Sequence, residues 1–300
     1  MSKSTIQFFH AIEGVHNGAG QAIGDIDRPI LREVTTGYPF LQGSSIQGAY
    51  RAEADSDWAD RAFGKSERRG RIVITDARLL FFPVASLKNT LCWVTCPLAL
   101  ERYARWSSLS GDPSGLGEAA RKVAGKAGAR GAAANTQDDA LYLFDRRIPA
   151  QADSEVERLA SEVAKAVFGD SNTSQAWRSF FSKRAALVPQ GDFDAFVRNA
   201  TEVRPNNKLD PETGQSENLW FTEYLPSESI LYSRVAILSE SEDENIEKGY
   251  SDLVANDQGI VQIGADETSG KGYIVSRLLD WSSDNGDAQR PDEGDDVAKP

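Results

Sequence analysis

Two aspartates, Asp25 and Asp27, lie near the end of a glycine-rich stretch, in residues 24–29 (G-D-I-D-R-P). Pro29 restricts the residue before it to extended geometry, so the chain around Arg28 is held in a defined shape. A carboxylate held there can bind a divalent cation or accept a proton. Taken alone, these residues favour the simpler interpretation that both aspartates cap the loop.

A second candidate is the loop of residues 264–272 (G-A-D-E-T-S-G-K-G). It has a Gly-Lys pair, but the spacing is wrong for a nucleotide-binding P-loop, and Gly272 stands where Ser or Thr is required. Free backbone N–H groups at Gly264 and Gly270, with the charge of Lys271, can still hold an RNA phosphate. The alternative is a plain turn between two strands.

Residues 43–48 (G-S-S-I-Q-G) offer a third candidate, because they begin a predicted helix over residues 43–54. Ser44 or Ser45 is its predicted N-cap. The unpaired N–H groups of a helix N-terminus attract anions, although this signal alone is weak.

Other chemistries fit poorly. The only histidines are His10, on a predicted strand, and His16, in the glycine-rich loop, and no G-x-S-x-G motif accompanies them, so a serine hydrolase is not indicated. Cys92 and Cys96 have no second pair and the wrong spacing for zinc, so both are predicted to be buried thiols. No apolar run is long enough to span a membrane and no signal peptide is evident, so we expect a cytoplasmic protein.

The elements that must position these residues alternate between strands and helices. Strands are predicted at residues 4–12, 71–82, 89–95, 229–238, 260–263 and 273–278, and helices begin at residues 43, 97, 154, 193 and 240. This order favours an α+β fold around an antiparallel sheet, and a ferredoxin-like core with large insertions fits it.

Residues 201–223 are predicted to form a protruding hairpin whose turn is D-P-E-T-G. Residues 106–137, rich in Gly, Ala and Ser, are predicted to be a flexible surface insertion.

The net charge of −12 argues against nucleic-acid binding by bulk electrostatics. Residues 239–257 hold seven acids and one lysine, and residues 282–300 hold six acids and two bases, so these segments account for −10 of that charge. The rest of the chain is near neutral, and a local basic groove is compatible with it. We expect one domain over residues 1–281 and a disordered acidic tail over residues 282–300.

Several blocks of the sequence resemble the RAMP superfamily of CRISPR proteins, and within it the backbone, target-cleaving subunits of type III-B (Cmr) effectors. The resemblance covers nearly the whole chain. Its blocks are residues 16–20 (H-N-G-A-G), 27–30 (D-R-P-I), 36–39 (T-G-Y-P), 43–49 (G-S-S-I-Q-G-A), 75–84 (T-D-A-R-L-L-F-F-P-V), 94–98 (V-T-C-P-L), 199–203 (N-A-T-E-V), 210–214 (D-P-E-T-G), 223–226 (E-Y-L-P) and the loop 264–272.

This resemblance implies a palm, fingers and thumb built on a ferredoxin-like, RRM-like core, with the hairpin as the thumb. It implies copies stacked in a filament along a guide crRNA, other Cmr-type subunits as partners, and cleavage of complementary target RNA at regular intervals. Asp27 matches the family's cleavage aspartate and would hold Mg²⁺ or Mn²⁺. His16 and Glu223 match supporting positions, and Asp25 ranks second to Asp27.

The implied reaction is attack by the target's own 2′-OH, which gives a 2′,3′-cyclic phosphate. Many relatives have a lysine where Gln47 stands, so the guide-phosphate contact there is neutral, and Arg51, Lys88 and the loop with Lys271 must supply more of the grip. Two alternatives remain open. The chain could be a non-catalytic RNA-binding backbone subunit, or the equivalent subunit of a Csm-type (III-A) effector.

Overall fold

The computed structural model describes residues 3–20, 26–126, 130–134, 139–238 and 245–282. Asp25, residues 239–244 and almost all of the acidic tail, residues 283–300, lie outside this part of the chain. Among the described residues, none of the helices combines the length and apolar character needed to cross a bilayer.

The described chain alternates strands with helices, as the sequence predicts. The strands are β1 (Ser4–Ala11), β2 (Phe40–Leu41), β3 (Gly64–Lys65), β4 (Arg68–Arg69), β5 (Ile72–Ile74), β6 (Ala77–Ser86), β7 (Thr90–Thr95), β8 (Gly131–Ala133), β9 (Ala140–Leu143), β10 (Arg146–Ala152), β11 (Ala185–Leu187), β12 (Glu202–Leu209), β13 (Ser216–Tyr224), β14 (Ile230–Ile237), β15 (Ile260–Gln262) and β16 (Tyr273–Leu278). The helices are α1 (Gly43–Glu53), α2 (Ser56–Ala62), α3 (Pro97–Leu109), α4 (Leu116–Ala124), α5 (Ser154–Phe168), α6 (Gln175–Ser182), α7 (Gln190–Asn199) and α8 (Asn245–Ala255). Three short 3₁₀ turns complete them, at Asn172–Ser174, Asn256–Gly259 and Glu267–Ser269.

A twelve-stranded sheet organises the molecule in the order β15-β16-β1-β14-β6-β7-β11-β8-β10-β9, with β2 on β6 and β5 on β14. β9 also pairs with β6, where Ser86 lies opposite Leu143, so the strands from β6 to β9 close into a barrel-like ring. The predicted α+β class is confirmed. The assignment of a ferredoxin-like core with palm, fingers and thumb stays a prediction.

The central strand β1 lies between β14 and β16, both antiparallel to it. All eight of its residues are buried, because helices cover the sheet around it. The glycine-rich loop follows β1 directly, so the core fixes where that loop begins.

The predicted strand over residues 71–82 is interrupted: β5 ends at Ile74 and β6 starts at Ala77. Asp76, in the break, accepts a hydrogen bond from the backbone N–H of Gly43 at 2.8 Å, at the start of α1. The prediction that Ser44 or Ser45 caps α1 is therefore wrong. Gln42 occupies the N-cap position without a side-chain bond, and a residue from another part of the chain supplies the acceptor.

The prediction of a flexible surface insertion at residues 106–137 is also wrong for the part that the structure describes. α4 buries Leu116, Ala120 and Val123 against α3, and β8 is a buried strand of the ring. Ala119, Ala120 and Ala124 lie on the buried face of the amphipathic helix α4, and Ala132 and Ala133 belong to β8, so close packing explains these alanines.

Strands β12 and β13 form an antiparallel hairpin over the range predicted for it, with Glu202 opposite Tyr224 and Lys208 opposite Asn218. The hairpin is a separate two-stranded sheet. Its turn is held by Asp210, whose carboxylate accepts from the N–H groups of Glu212 and Thr213 at 2.9 and 2.6 Å.

Candidate active site at the base of the hairpin

The glycine-rich loop and the hairpin meet through backbone hydrogen bonds. Val15 and Leu225 exchange N–H···O bonds of 2.9 Å in both directions. Further along, the Arg28 N–H donates to the Phe221 carbonyl at 3.1 Å, and the Glu223 N–H donates to the Arg28 carbonyl at 2.9 Å. These bonds bring residues from the two ends of the sequence together at one edge of the molecule.

Asp27 lies at this junction with its side chain exposed. Its Oδ2 accepts a hydrogen bond from the backbone N–H of Phe221 at 2.8 Å. Oδ1 accepts none from any residue that the structure describes. The carboxylate is therefore fixed in position by one oxygen while the other faces solvent, which is the arrangement a reactive group needs.

Glu223 is the opposite case, with only 3% of the residue exposed. Its Oε1 accepts from Arg32 Nη2 at 2.5 Å and from the Thr201 hydroxyl at 2.8 Å, and its Oε2 accepts from the Ile30 N–H at 3.1 Å. A carboxylate with three donors in a buried setting has no free oxygen to offer a substrate. Glu223, near the end of β13, thus ties the segment of Ile30 and Arg32 to Thr201 at the start of the hairpin.

His16 is buried as well, and its Nδ1 lies 2.8 Å from the carbonyl oxygen of Glu223. Because a carbonyl only accepts hydrogen bonds, Nδ1 carries the proton and donates it. Nε2 faces Gly18, where an added Cβ would lie only 2.7 Å away. His16 thus supports the backbone next to Arg28 and does not reach solvent.

Sequence reasoning missed a cluster formed by Arg28, Asp266 and Tyr224. Arg28 Nη1 and Nη2 both donate to Asp266 Oδ1 at 3.2 Å, and the Tyr224 hydroxyl donates to Asp266 Oδ2 at 2.8 Å. Burial, and next the hydrogen bond to Asp266, raise the pKa of Tyr224 to about 12. Arg28 and Asp266 are 238 positions apart, so no local pattern pairs them.

The loop over residues 264–272 packs against the glycine-rich loop. Several of its N–H groups, which the sequence offers to phosphate, are already used within the protein. The donors are Ala265 to His16 O, Ser269 and Lys271 to Asp266 O, Gly270 to Glu267 O, and Gly272 to Gly14 O. Gly264 has φ +98°, and a Cβ there would lie 2.5 Å from His16 O, so close packing explains that glycine. Lys271 is 8% exposed and bonds Glu13 at 3.1 Å.

The start of α1 lies beside the glycine-rich loop that follows β1, because the Ser45 hydroxyl donates a hydrogen bond to Asn17 Oδ1 at 3.2 Å. Ser44, next to it, is exposed. Further along α1, Gln47 Nε2 donates to the Phe63 carbonyl at 2.8 Å. Arg51 donates to the Gly64 carbonyl at 2.5 Å and pairs with Asp60. Both side chains therefore hold the segment after α2.

Lys88 stands apart from the others. It lies in the exposed turn between β6 and β7, with its Nζ 5.2 Å from the ring centre of Tyr142. Ala77, at the other end of β6, pairs with Leu41 just before α1. Nine residue steps of about 3.3 Å put Ser86 at the far end of β6, and Lys88 just beyond it, roughly 30 Å from Ala77.

A divalent cation at Asp27 would need most of its ligands from outside the protein. Among the described residues, no group of three or more His, Cys, Asp or Glu side chains is placed to hold a metal ion. Mg²⁺ commonly binds one or two carboxylates together with substrate phosphates and water. The exposed oxygen of Asp27 fits that type of site, and the remaining ligands would be RNA phosphate oxygens and water.

The chain is similar to known proteins over most of its length. The model of the RAMP superfamily matches residues 8–275. A curated relative from Pyrococcus furiosus, the CRISPR system Cmr endoribonuclease Cmr4, is 29% identical; the alignment covers 95% of this chain and 98% of the relative.

Solved structures show the same fold. Oligomeric Cmr4 from Pyrococcus furiosus superposes with a TM-score of 0.71 at 24% identity, covering 94% of this chain and 99% of that one. A chain of the type III-B Cmr-beta complex bound to cognate target RNA superposes with a TM-score of 0.73 at 18% identity, covering 93% and 97%.

Proposed function

This chain belongs to the RAMP superfamily, and from that membership we propose that it is the backbone subunit of a type III-B CRISPR effector and cleaves target RNA. Its partners are the guide crRNA, complementary target RNA, further copies of itself in a filament, and other Cmr-type subunits. The support comes from its similarity, over nearly the full length of both chains, to a relative named as a Cmr endoribonuclease.

The observation that carries the catalytic part is the position of Asp27. It is an exposed carboxylate, hydrogen-bonded through one oxygen to the root of the hairpin. An RNA strand that passes the base of the hairpin would meet this oxygen before any other carboxylate of the cluster, because Glu223 is buried and Asp266 is bonded to Arg28 and Tyr224.

The hairpin itself has the surface of a nucleic-acid wedge. Phe221 lies opposite Pro205, and Leu219 opposite Asn207, so Phe221 and Leu219 share one face. They are 38% and 56% exposed. Apolar and aromatic side chains exposed together indicate a binding surface, and unstacked bases pack well on such side chains. The hairpin can thus hold an RNA backbone open beside Asp27.

The proposed reaction needs few protein groups. The target's 2′-oxygen bonds to phosphorus as the bond to the 5′-oxygen breaks, and the released 5′-oxygen takes a proton from water, giving a 2′,3′-cyclic phosphate and a 5′-hydroxyl. The hairpin brings the 2′-oxygen, phosphorus and leaving oxygen into line, and Asp27 takes the proton of the 2′-OH or holds Mg²⁺ or Mn²⁺ there. The cation, when bound, would neutralise negative charge that develops on the phosphate oxygens. His16 and Glu223 act as positioning residues for the backbone beside Asp27.

Asp27→Asn in the assembled complex tests the assignment. We expect single-turnover cleavage of target RNA to slow by about 10²–10⁴, the usual contribution of a general acid or base. Binding of guide and target RNA should persist. Glu217→Gln is a matched control, because Glu217 is an exposed carboxylate of the same hairpin that pairs with Lys208. Cleavage at the wild-type rate by the Asp27 variant would refute the assignment.

A non-catalytic backbone subunit is the second candidate function. The burial of two of the three family-matched site residues favours it, because Glu223 and His16 are bonded within the protein and only Asp27 is exposed. The same experiment separates the two functions, since a purely structural subunit leaves cleavage unaffected by any change at Asp27. Repeating the wild-type reaction with a chelator, then with added Mn²⁺, decides whether a cation takes part.

A further inference from the structure

A pocket lined by four arginines lies beside the β3–β4 hairpin, outside the candidate active site. Residues 60–71 contain five Lys or Arg and two Asp or Glu, a local net charge of +3 in a chain of −12. The cavity has a volume of about 370 Å³. Its charged and apolar lining consists of Arg61, Arg68, Arg69, Arg71, Glu67 and Leu238.

The pocket is built on a rigid support. β3 and β4 form a two-residue hairpin in which Gly64 lies opposite Arg69 and Lys65 opposite Arg68. At its base, a Cβ on Gly64 would lie 2.5 Å from Gly70 N, and a Cβ on Gly70 would lie 2.4 Å from the Phe63 carbonyl carbon. Only glycines allow this approach, so the backbone at the base of the hairpin has a defined packing that carries Arg68 and Arg69 at the rim of the pocket.

Two of these arginines are not committed to the fold. Arg68 and Arg69 are exposed, and neither forms an ion pair or side-chain hydrogen bond with any residue in the described ranges. A guanidinium group has five N–H donors in a planar fork that matches a phosphate in a bidentate manner. Adjacent, unpaired arginines in a cavity of this size are suited to a phosphate.

The pocket is linked to the residues from which the sequence predicted a phosphate contact. Gln47, neutral where many relatives have a lysine, donates to Phe63 O, and Arg51 donates to Gly64 O. Both side chains therefore grip the base of the β3–β4 hairpin. Residue 47 of α1 is uncharged, but the β3–β4 hairpin that Gln47 and Arg51 contact carries the positive charges of Arg68 and Arg69.

We propose that the Arg61–Arg71 pocket binds a phosphodiester of the guide RNA, which rests on the proposed function of this chain as a guide-binding subunit. Arg68 and Arg69 make the direct contacts, and Gln47 and Arg51 position them. The guide is the strand chosen because Gln47 and Arg51, which the family resemblance places at the guide-phosphate contact, hold the base of the hairpin that carries these arginines.

The test measures binding of a labelled single-stranded RNA to the full chain over a series of salt concentrations. Arg68→Gln and Arg69→Gln should each weaken binding at least about tenfold, since each removes a charge-assisted bond. The slope of log K against log salt should fall by about 0.7 for each lost phosphate contact. The matched control is Lys65→Gln, which removes one charge from the same hairpin but lies outside the pocket lining, and should change binding less than about twofold.

Four outcomes would overturn the inference. Equal weakening by Lys65→Gln and by the arginine variants would show bulk charge and no site. Unchanged RNA affinity with lost self-association would assign the pocket to a contact between subunits. A defect seen only with a guide–target duplex would assign it to the target strand. If the wild-type chain binds no RNA, both this inference and the proposed function fail, whereas the first three results leave cleavage at Asp27 intact.

Discussion

Asp27 and Glu223 are two carboxylates of one site that lie in opposite environments. Glu223 is buried and accepts hydrogen bonds from Arg32, Thr201 and the Ile30 N–H. Asp27 is exposed and accepts one, from the Phe221 N–H. They are nevertheless joined through backbone, because the N–H of Glu223 donates to the carbonyl of Arg28, next to Asp27.

This difference assigns the two carboxylates different roles: Glu223 stabilises the site, and Asp27 is available to act on a substrate. A buried carboxylate with every oxygen engaged stabilises the junction of loop and hairpin but cannot take up a proton without breaking it. A carboxylate fixed through one oxygen keeps its orientation and stays available. Function at this site thus depends on Asp27, which accepts one hydrogen bond, and Asp27 is supported by Glu223, which accepts three.

The largest expected effect on stability is that of Glu223→Gln. Removing the charge leaves Arg32 without its carboxylate partner in a mostly buried position, and breaking such a pair typically costs about 3–5 kcal/mol. Because Arg32 also donates to the Gly37 and Val197 carbonyls, at 2.9 and 2.8 Å, we expect about 3 kcal/mol. Urea unfolding measures this loss directly.

Glu217→Gln is the control for this prediction as well. Glu217 is paired with Lys208 near the exposed turn of the hairpin, where an ion pair contributes about 0.2–1 kcal/mol. If Glu223→Gln unfolded like the wild type and still lost cleavage, Glu223 would be a chemical group, and the contrast with Asp27 would be wrong.

Tyr224→Phe should have an intermediate effect. It removes the hydrogen bond to Asp266, which is worth about 1 kcal/mol. The pKa of Tyr224 is raised to about 12 in the folded protein, from about 10 in an unfolded chain. A raised pKa means that its stabilising contribution is complete below pH 10 and is lost as the pH rises to 12.

The deficit of Tyr224→Phe relative to wild type should therefore shrink between pH 10 and pH 12, as followed by urea midpoints across that range. Tyr273→Phe serves as the comparison, because Tyr273 is 38% exposed. A deficit for Tyr224→Phe that stays constant to pH 12 would show that the pKa of Tyr224 is not raised in the folded protein.

The sequence predicted the elements of this fold better than their ends and partners. The α+β class, helix α1 and the strands around β1 follow from hydrophobic periodicity and local propensity. The cap of α1 does not, because its acceptor is Asp76, which tertiary folding brings to Gly43. The alanine-rich α4 was misjudged for a related reason: its composition resembles a linker until its packing partner α3 is known.

The candidate site shows the same limit. Its members could be named from family blocks, but their environments could not, since burial of His16 and Glu223 depends on the hairpin folding back onto the glycine-rich loop. The sequence also predicted that Lys271 and Arg51 bind RNA phosphate, but it did not predict their partners within the protein. Glu13 pairs with Lys271, while Asp60 and the Gly64 carbonyl bind Arg51. The sequence shows which side chains are charged, but not which oppositely charged residues pair with them after folding.

The smallest expected effect on stability is that of Asp27→Asn, and it tests the comparison most sharply. Asparagine keeps the size of the side chain and a carbonyl oxygen that can accept the Phe221 N–H, so the free energy of unfolding should change by less than about 0.5 kcal/mol. The charge and the proton-accepting ability are lost, so cleavage should still slow by about 10²–10⁴. If the unfolding free energy instead fell by as much as in Glu223→Gln, Asp27 would belong to the scaffold, and the loss of cleavage would report a distorted hairpin. A stable protein that no longer cleaves RNA is the one result that only a catalytic Asp27 predicts.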